Sequence, residues 1–332
     1  MMSKKQITLT DIAEICGTSN VTVSKALAGK RGMSNELREK ILSTADKLGY
    51  TPNRSAINGG VIGVIIPQRF INPNGSFYWA LYNNIVQRLK SENFSCIQEI
   101  LTAEEEDALI MPSFPGGQNI VGIISLGQPS DKYARKLAAM DKPLLMLDYY
   151  INGLDVDSIV TNGFFGGYKL TCHLIKQGHK KIGYIGTRLA TSSIFDRYMG
   201  YMKAMLEQGL TADDKWLIAD RDIHNELYEA LPFPEEMPTA FVCNCDETAF
   251  KAIRDLKALG YSVPDDISIV GYDNYLISEI SEPPITTINV DSKEMADLAV
   301  TTLIDRIRNK KLPTRIQILD GKLIEKASVK KI

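Results

Sequence analysis

ITLTDIAEICGTSNVTVSKALAGKRGMSNELREKILSTADKLGY (7–50) carries three short helical patterns in a row. Thr8 can cap the first, with Asp11 three residues on to complete a capping box ahead of Ile12, Ala13 and Cys16. Gly17 falls where a tight turn needs positive φ. Thr18 or Ser19 opens a second helix whose Val23, Ala26 and Leu27 face inward, and Gly29 and Gly32 break it. Ser34 opens a third, on which Leu37, Ile41, Ala45 and Leu48 keep one apolar face. Two short helices joined by a glycine turn and locked by a third make a helix-turn-helix unit.

The second helix leaves Ser19, Asn20, Val21, Thr22, Ser24 and Lys25 outside its core face. These side chains suit a DNA duplex. Asn20 can pair with adenine, Lys25 with the O6 and N7 of guanine, and Val21 can touch a thymine methyl. Ser19, Thr22 and Ser24 suit phosphate contacts, which fix register without reading sequence. Spacing alone leaves a second reading open, because three-helix units also serve as protein-interaction modules.

TLTDIAEICGTSNVTVSKALAG followed by SNELREKILSTADKLGYTPN resembles the DNA-binding head of the lactose-repressor (LacI/GalR) family of bacterial regulators. The resemblance implies that the second helix enters the major groove of operator DNA as part of a homodimer. It gives base-contact roles to Asn20, Val21 and Lys25. Asn53 and Arg54, at the start of the linker, join the DNA-facing set. In the family this linker folds into a hinge helix on the operator and wedges a leucine pair into the minor groove. Here the linker is shorter, the leucine position falls on or near Gly59, and Ile57 is its only sizeable apolar residue. The departure predicts weak minor-groove insertion.

Charge follows the same division. Residues 1–60 hold nine Lys and Arg against five Asp and Glu, while the remainder holds 29 against 35. A basic head on an acidic body suits a DNA reader fused to a module that does not touch DNA. The amino terminus lacks an apolar signal core and no apolar run is long enough to span a membrane, which predicts a cytoplasmic protein. Five cysteines, an odd number scattered along the chain, read as small buried hydrophobes in a reducing compartment. The one-residue gap of Cys243-Asn244-Cys245 is not a zinc spacing, so no metal is expected. No cofactor or catalytic residue is expected either. The histidines are His173, His179 and His224, and no G-x-S-x-G elbow, P-loop or H-E-x-x-H is present.

The expected organisation is a helix-turn-helix domain over 1–52, a linker over 53–60 and a two-lobed effector-binding and dimerisation domain over 61–332. In the body, apolar runs VIGVIIP (61–67), FSCIQEI (94–100), IVGIISLG (120–127) and PLLMLDYY (143–150) alternate with helical patterns. A second series follows: SIVTN (158–162), KIGYIG (181–186), TAFVCN (239–244) and ISIVGYD (267–273). Strands buried on both faces with helices between them predict an α/β fold with parallel, doubly wound sheets in two lobes. A final helix over 292–308 and the segment 315–329, with its Asp320-Gly321 turn signal, return across the lobes. The body resembles the periplasmic-binding-protein fold that the family uses for its effector, through GHKKIGYIG (178–186), DRYMGYMKAMLEQGL (196–210), SVPDDISIVGYDN (262–274) and EPPITTINV (282–290). The glycines of 162–167 open a helix without matching a dinucleotide fingerprint, and close helix–strand packing accounts for them.

Ligands of open α/β sheets bind past the carboxyl ends of strands, and a two-lobed version gathers those ends into one cleft. The strand ends release Asp148, Asn244, Asp246 and Asp273, and the helix after KIGYIG carries Arg197. An arginine fork facing a carboxylate can hold vicinal hydroxyls. Phe77 and Trp79, with Tyr78 between them, offer flat faces to a sugar or a base. The resemblance implies ligand-binding roles for Arg197 and Asp273. Asp148 and Asp246 have a plainer reading as turn or helix caps. The sequence thus predicts a ligand-responsive transcription regulator, a repressor on a palindromic operator with a sugar-like effector. A nucleobase corepressor is the alternative, and a sugar-binding protein whose head contacts another protein is a further one.

Overall fold

A computed structural model describes residues 8–27, 33–48, 60–71, 76–114, 120–222 and 226–332. The chain divides into two compact units, Met1–Asn58 and Gly59–Ile332. Most of the linker, including Asn53, Arg54, Ile57 and Gly59, lies outside the described residues, as do Gly29, Gly32 and His224.

In the first unit, helix α1 (Leu9–Cys16) begins at Thr8, whose hydroxyl accepts from the amide of Asp11 while the Asp11 carboxylate accepts from the amide of Thr8 at 2.7 Å. Gly17 ends it at φ +68°. Helix α2 (Asn20–Leu27) is capped by the Ser19 hydroxyl, 3.2 Å from the amide of Thr22. Ser34 does the same for helix α3 (Asn35–Lys47), at 3.3 Å from Leu37. Ile12, Ala13, Cys16, Val23, Ala26, Ile41 and Ala45 form the core, with Leu27, Leu37 and Leu48 packed at its edge.

The second unit holds two parallel sheets. The first runs β11-β5-β4-β3-β1-β2, from strands β1 (Val61–Pro67), β2 (Ser95–Leu101), β3 (Ile120–Leu126), β4 (Leu144–Leu147), β5 (Asp157–Thr161) and β11 (Ile316–Leu319). The second runs β7-β6-β8-β9, from β6 (Ile182–Ile185), β7 (Leu217–Ile218), β8 (Ala240–Cys243) and β9 (Ser268–Val270). Six residues of β1 are buried because helices cover both faces of its sheet, which is why it reads as one apolar run. One cover is α4 (Phe77–Ser91), capped by Ser76 and burying Phe77, Leu81, Ile85 and Leu89 at a spacing of four. Full burial of side chains this size stabilises by roughly 1.5–3 kcal/mol each. It packs on α11 (Ser292–Arg308), whose Met295, Ala296, Ala299, Val300 and Leu303 are buried in the same core.

One expectation needs correction. Strand β5 was grouped with the second series by sequence order, but it pairs with β4 and β11 in the first sheet. Asp320-Gly321 makes the return across the lobes. Strand β11 runs parallel to β5 in the first sheet, whereas β12 (Lys322–Ile324) lies antiparallel to β10 (Thr287–Asn289). The pair therefore sits where the chain crosses between lobes. Two further crossings follow β5 and β10, and Asn162 ties the first to the last by donating to Asp320 at 2.7 Å.

Of the glycines after Asn162, Gly166 makes room for the Tyr272 ring just past β9, whereas Gly163 and Gly167 serve a helix–helix contact rather than the helix–strand packing expected. Helix α7 (Gly163–Lys176) lies against α8 (Ser192–Glu207). A Cβ at Gly167 would overlap the carbonyl oxygen of Arg197, and one at Gly200 would overlap that of Phe164. Gly200→Ala is expected to force these backbones apart and cost roughly 1–3 kcal/mol, the usual range for overpacking. Urea unfolding of the full chain would show it as a lower midpoint at unchanged slope.

Candidate functional site

The outer face of α2 presents Ser19, Asn20, Val21, Ser24 and Lys25 to solvent, while Thr22 is half-buried. The Ser19 and Thr22 hydroxyls are 3.0 Å apart. One amide N–H of Asn20 donates to Thr10 on α1 at 3.1 Å, which steadies the side chain while its oxygen stays on the outer face. Lys25, one turn beyond Val21, puts a cation on the same surface. The sequence-predicted set is thus gathered on one helix, apart from Asn53 and Arg54 outside the described residues.

The body has a cleft of about 660 Å³ at the carboxyl ends of its strands. Asp148 follows β4, Asn244 follows β8, Asp273 lies three residues past β9, and Arg197 reaches in from the second turn of α8. Asp148 and Asp273 stand at φ +68° and +110°, backbone conformations that non-glycine residues seldom adopt. Such outliers concentrate where a side chain has to be aimed, and both carboxylates line this cleft. Arg197 donates to the carbonyl oxygen of Asn244 at 2.6 Å, approaches the Asp273 carboxylate at 3.5 Å, and stacks 3.8 Å above the Tyr272 ring. Tyr78 donates its hydroxyl to Asp148 at 2.8 Å.

Behind these residues Asp220, fully buried, anchors a network. Its carboxylate accepts from Asn244 at 2.9 Å, Thr248 at 2.8 Å, the Thr187 amide at 2.8 Å and Arg221 at 2.8 Å. Burial works against its charge, but the Arg221 guanidinium and these donors hold its pKa below the ordinary value. Arg197 is likewise desolvated, and the groups around it, Asp273 foremost and then Tyr272 and Asp148, together more than offset that, so the guanidinium stays protonated. Burial pushes Asp148 up, against the pull of Arg197 and the Tyr78 hydroxyl. One oxygen of Asp148, the Nε of Arg197 and the amide oxygen of Asn244 are buried without a hydrogen-bond partner. Cleft-lining groups left so are suited to a ligand.

Residues 8–53 match the family model of bacterial regulatory proteins, lacI family, and residues 171–329 match a periplasmic binding protein-like domain. The ribose operon repressor of Haemophilus influenzae is 28% identical, over 97% of this chain and 98% of its own length. The transcriptional repressor PurR of Photobacterium profundum is 27% identical, over 97% and 98%.

The chain joins a lacI-family DNA-binding domain to a periplasmic binding protein-like domain.

Among solved structures, a lac repressor dimer bound to operator and an anti-inducer covers 98% of this chain at TM-score 0.74 and 22% identity, with all of its own length matched. A lacI-family regulator from Enterococcus faecium with bound ribose covers 82% at TM-score 0.66 and 23% identity, with 99% of its own length matched. Phe77, Asp148, Arg197, Asn244 and Asp273 meet in one cleft as expected from sequence.

Two expected residues do not join them. Trp79 is 45% exposed and stacks on Tyr82 instead, because it lies two positions round α4 from the buried Phe77. Asp246 starts α9 (Asp246–Ala258) wholly buried, accepting from the Thr287 hydroxyl at 2.6 Å and the Asn274 amide at 2.7 Å. It holds the segment after β9 and lines no part of the cleft. Tyr78, noted from sequence only for its flat ring, lines it too, as does Arg221, which no sequence signal marked. Cys243 and Cys245 carry free thiols, the first in the core and the second at the cleft. Among the described residues no cluster of ligating side chains could hold a metal, and no helix is long and apolar enough to cross a membrane.

Burial pushes Asp246 up to about 7 in spite of its two donors. A folded-state pKa raised this way favours the fold below the unfolded value and loses that contribution as pH climbs through the folded one. Stability of the wild-type body is therefore expected to fall between about pH 4 and 7, by up to roughly 4 kcal/mol from this group. Asp246→Asn should flatten that part of a stability–pH curve measured by denaturant; an unaltered slope would remove Asp246 as its source.

Proposed function

We propose that this chain is a lacI-family regulator, a cytoplasmic homodimeric repressor that binds a palindromic operator through α2, and that a small molecule in the inter-lobe cleft changes its affinity for DNA. The observation that carries the effector assignment is the buried Arg197, set among Asp148, Asn244 and Asp273 with polar atoms left over on three of the four. A guanidinium and carboxylates at close quarters are suited to vicinal hydroxyls, which accept from one and donate to the other. A sugar or sugar derivative fits this set. The named relative that represses a ribose operon and the family structure with bound ribose support the same choice. The nucleobase alternative drew on three consecutive aromatics, and one of them, Trp79, points to solvent.

Coupling can follow the backbone. The Asp273 amide donates to Ile288 at 2.9 Å, and the Val290 amide donates back to Asp273 at 3.2 Å, so this residue is hydrogen-bonded to a strand that crosses between lobes. Across the rim, the Ser192 amide donates to the Gln128 side chain at 2.8 Å, joining the start of α8 to the loop after β3. A ligand that draws Asp148 and Arg197 together acts on both connections, which would shift the lobes relative to each other.

On DNA, Ser19, Asn20, Val21, Thr22, Ser24 and Lys25 form the contact set, with Asn53 and Arg54 following. Lys25→Ala should lower discrimination at one base position by roughly 1–3 kcal/mol in a binding selection from a random duplex library. A loss spread evenly over all sequences would make Lys25 a phosphate contact. No sequence preference in the wild-type dimer at low ionic strength would end the operator assignment. Arg197→Ala should abolish the effector response while operator affinity stays near wild type, read by anisotropy with and without ligand. A retained response would take Arg197 out of the site.

A further inference from the structure

We propose that the cleft selects an uncharged, hydroxyl-rich molecule, a free sugar or polyol, and excludes phosphorylated and carboxylated ligands, a selection that rests on the cleft being the effector site. Its cations are already committed. Arg69 forks onto Glu106 at 2.6 and 3.3 Å and also donates to the carbonyl of Gln128 at 2.9 Å. Arg221 forks onto Asp220 at 2.8 and 3.1 Å. Both guanidiniums line the cleft with their charge neutralised from behind. Arg197 is the remaining cation among the described lining residues, and Asp273 stands 3.5 Å from it.

The acidic side of the balance is heavier. Asp148 lines the cleft with no cation of the described residues within ion-pair distance, and Glu104, Glu226 and Glu247 stand among the lining residues as well. A phosphate monoester carries nearly two negative charges at neutral pH. It would meet one guanidinium shared with a carboxylate, and face further carboxylates around it. Burying an anion against that field is unfavourable, since charges taken out of water need matched partners.

Hydrogen bonding excludes the same ligands independently. Among the described cleft-lining residues the unpartnered buried groups are an oxygen of Asp148 and the amide oxygen of Asn244, both acceptors, and the Nε of Arg69 and of Arg197, both donors. The Asn244 amide cannot rotate to reverse this, because its nitrogen donates to Asp220 at 2.9 Å and a flip would set oxygen against carboxylate. The ligand must therefore bring donors for the two acceptors as well as acceptors for the two donors. Each sugar hydroxyl supplies both, whereas phosphate and carboxylate oxygens at neutral pH only accept. Asp220 is thus a positioning residue: it fixes the polarity of Asn244 and cancels Arg221 without reaching the ligand.

The test uses the full chain and matched pairs of probes: ribose and ribose 5-phosphate, glucose and glucose 6-phosphate, gluconate, and hypoxanthine. Binding is read by calorimetry and by the rise in melting temperature that a ligand of the native state causes. A free sugar is expected to bind, with its phosphate or acid weaker by roughly a hundredfold or more, the penalty for an uncompensated buried charge. Every response is repeated in Arg197→Ala. An Arg197-dependent preference for a phosphate ester, an acid or hypoxanthine overturns the selection proposed here while leaving the cleft as the effector site. A sugar response that survives Arg197→Ala overturns both.

Discussion

The body is organised around a guanidinium almost wholly withdrawn from water. Arg197 is 6% exposed, and an arginine so placed is stable only when its charge and its donors are matched. The matches come from separate parts of the chain: the carbonyl of Asn244 after β8, the carboxylate of Asp273 and the ring of Tyr272 after β9. Helix α8 can deliver the side chain there because Gly167 on α7 lets the Arg197 backbone come into contact. Close packing and ligand chemistry therefore use one set of positions. A side chain at Gly167 would displace the helix and the cation together.

The same economy holds at the strand ends. Asp220 was not among the residues singled out from sequence, yet it organises Asn244, Thr248, Thr187 and Arg221 in one buried network. Charged groups this far from solvent are tolerated when every lone pair is used, and this carboxylate accepts five hydrogen bonds or more, counting both from Arg221. Rigidity there fixes which way the cleft residues present their donors and acceptors.

Much of this was legible in the sequence. Capping residues, the glycine turn and four-residue spacings located the three head helices, and apolar runs located most strands. The family resemblance carried Arg197 and Asp273 to their places. What escaped had physical causes. Pairing partners are not encoded in the order of strands, so β5 was put with the wrong neighbours. Aromatic type could not separate Tyr78 from Trp79, although helix geometry could have: with Phe77, Leu81, Ile85 and Leu89 inward, Trp79 lies about 200° away from Phe77. Asp246 looks like its neighbours at other strand ends, and only the positions of Thr287 and Asn274 reveal that its carboxylate is spent internally.

The threading of the last strands bears on how the molecule is made. Strand β11 completes the first sheet beside β5, and α11 covers α4, yet both come from the final portion of the chain. A growing polypeptide leaves the ribosome amino end first, so the lobe begun earliest waits for its finishing pieces until the strands of the second sheet have been made. Until then the apolar side of α4 and the edge of β5 stand uncovered, the kind of surface that chaperones hold and aggregates recruit. The residues that close the structure, down to the Ile332 amide bonded to Gln177, act as a clasp rather than a tail.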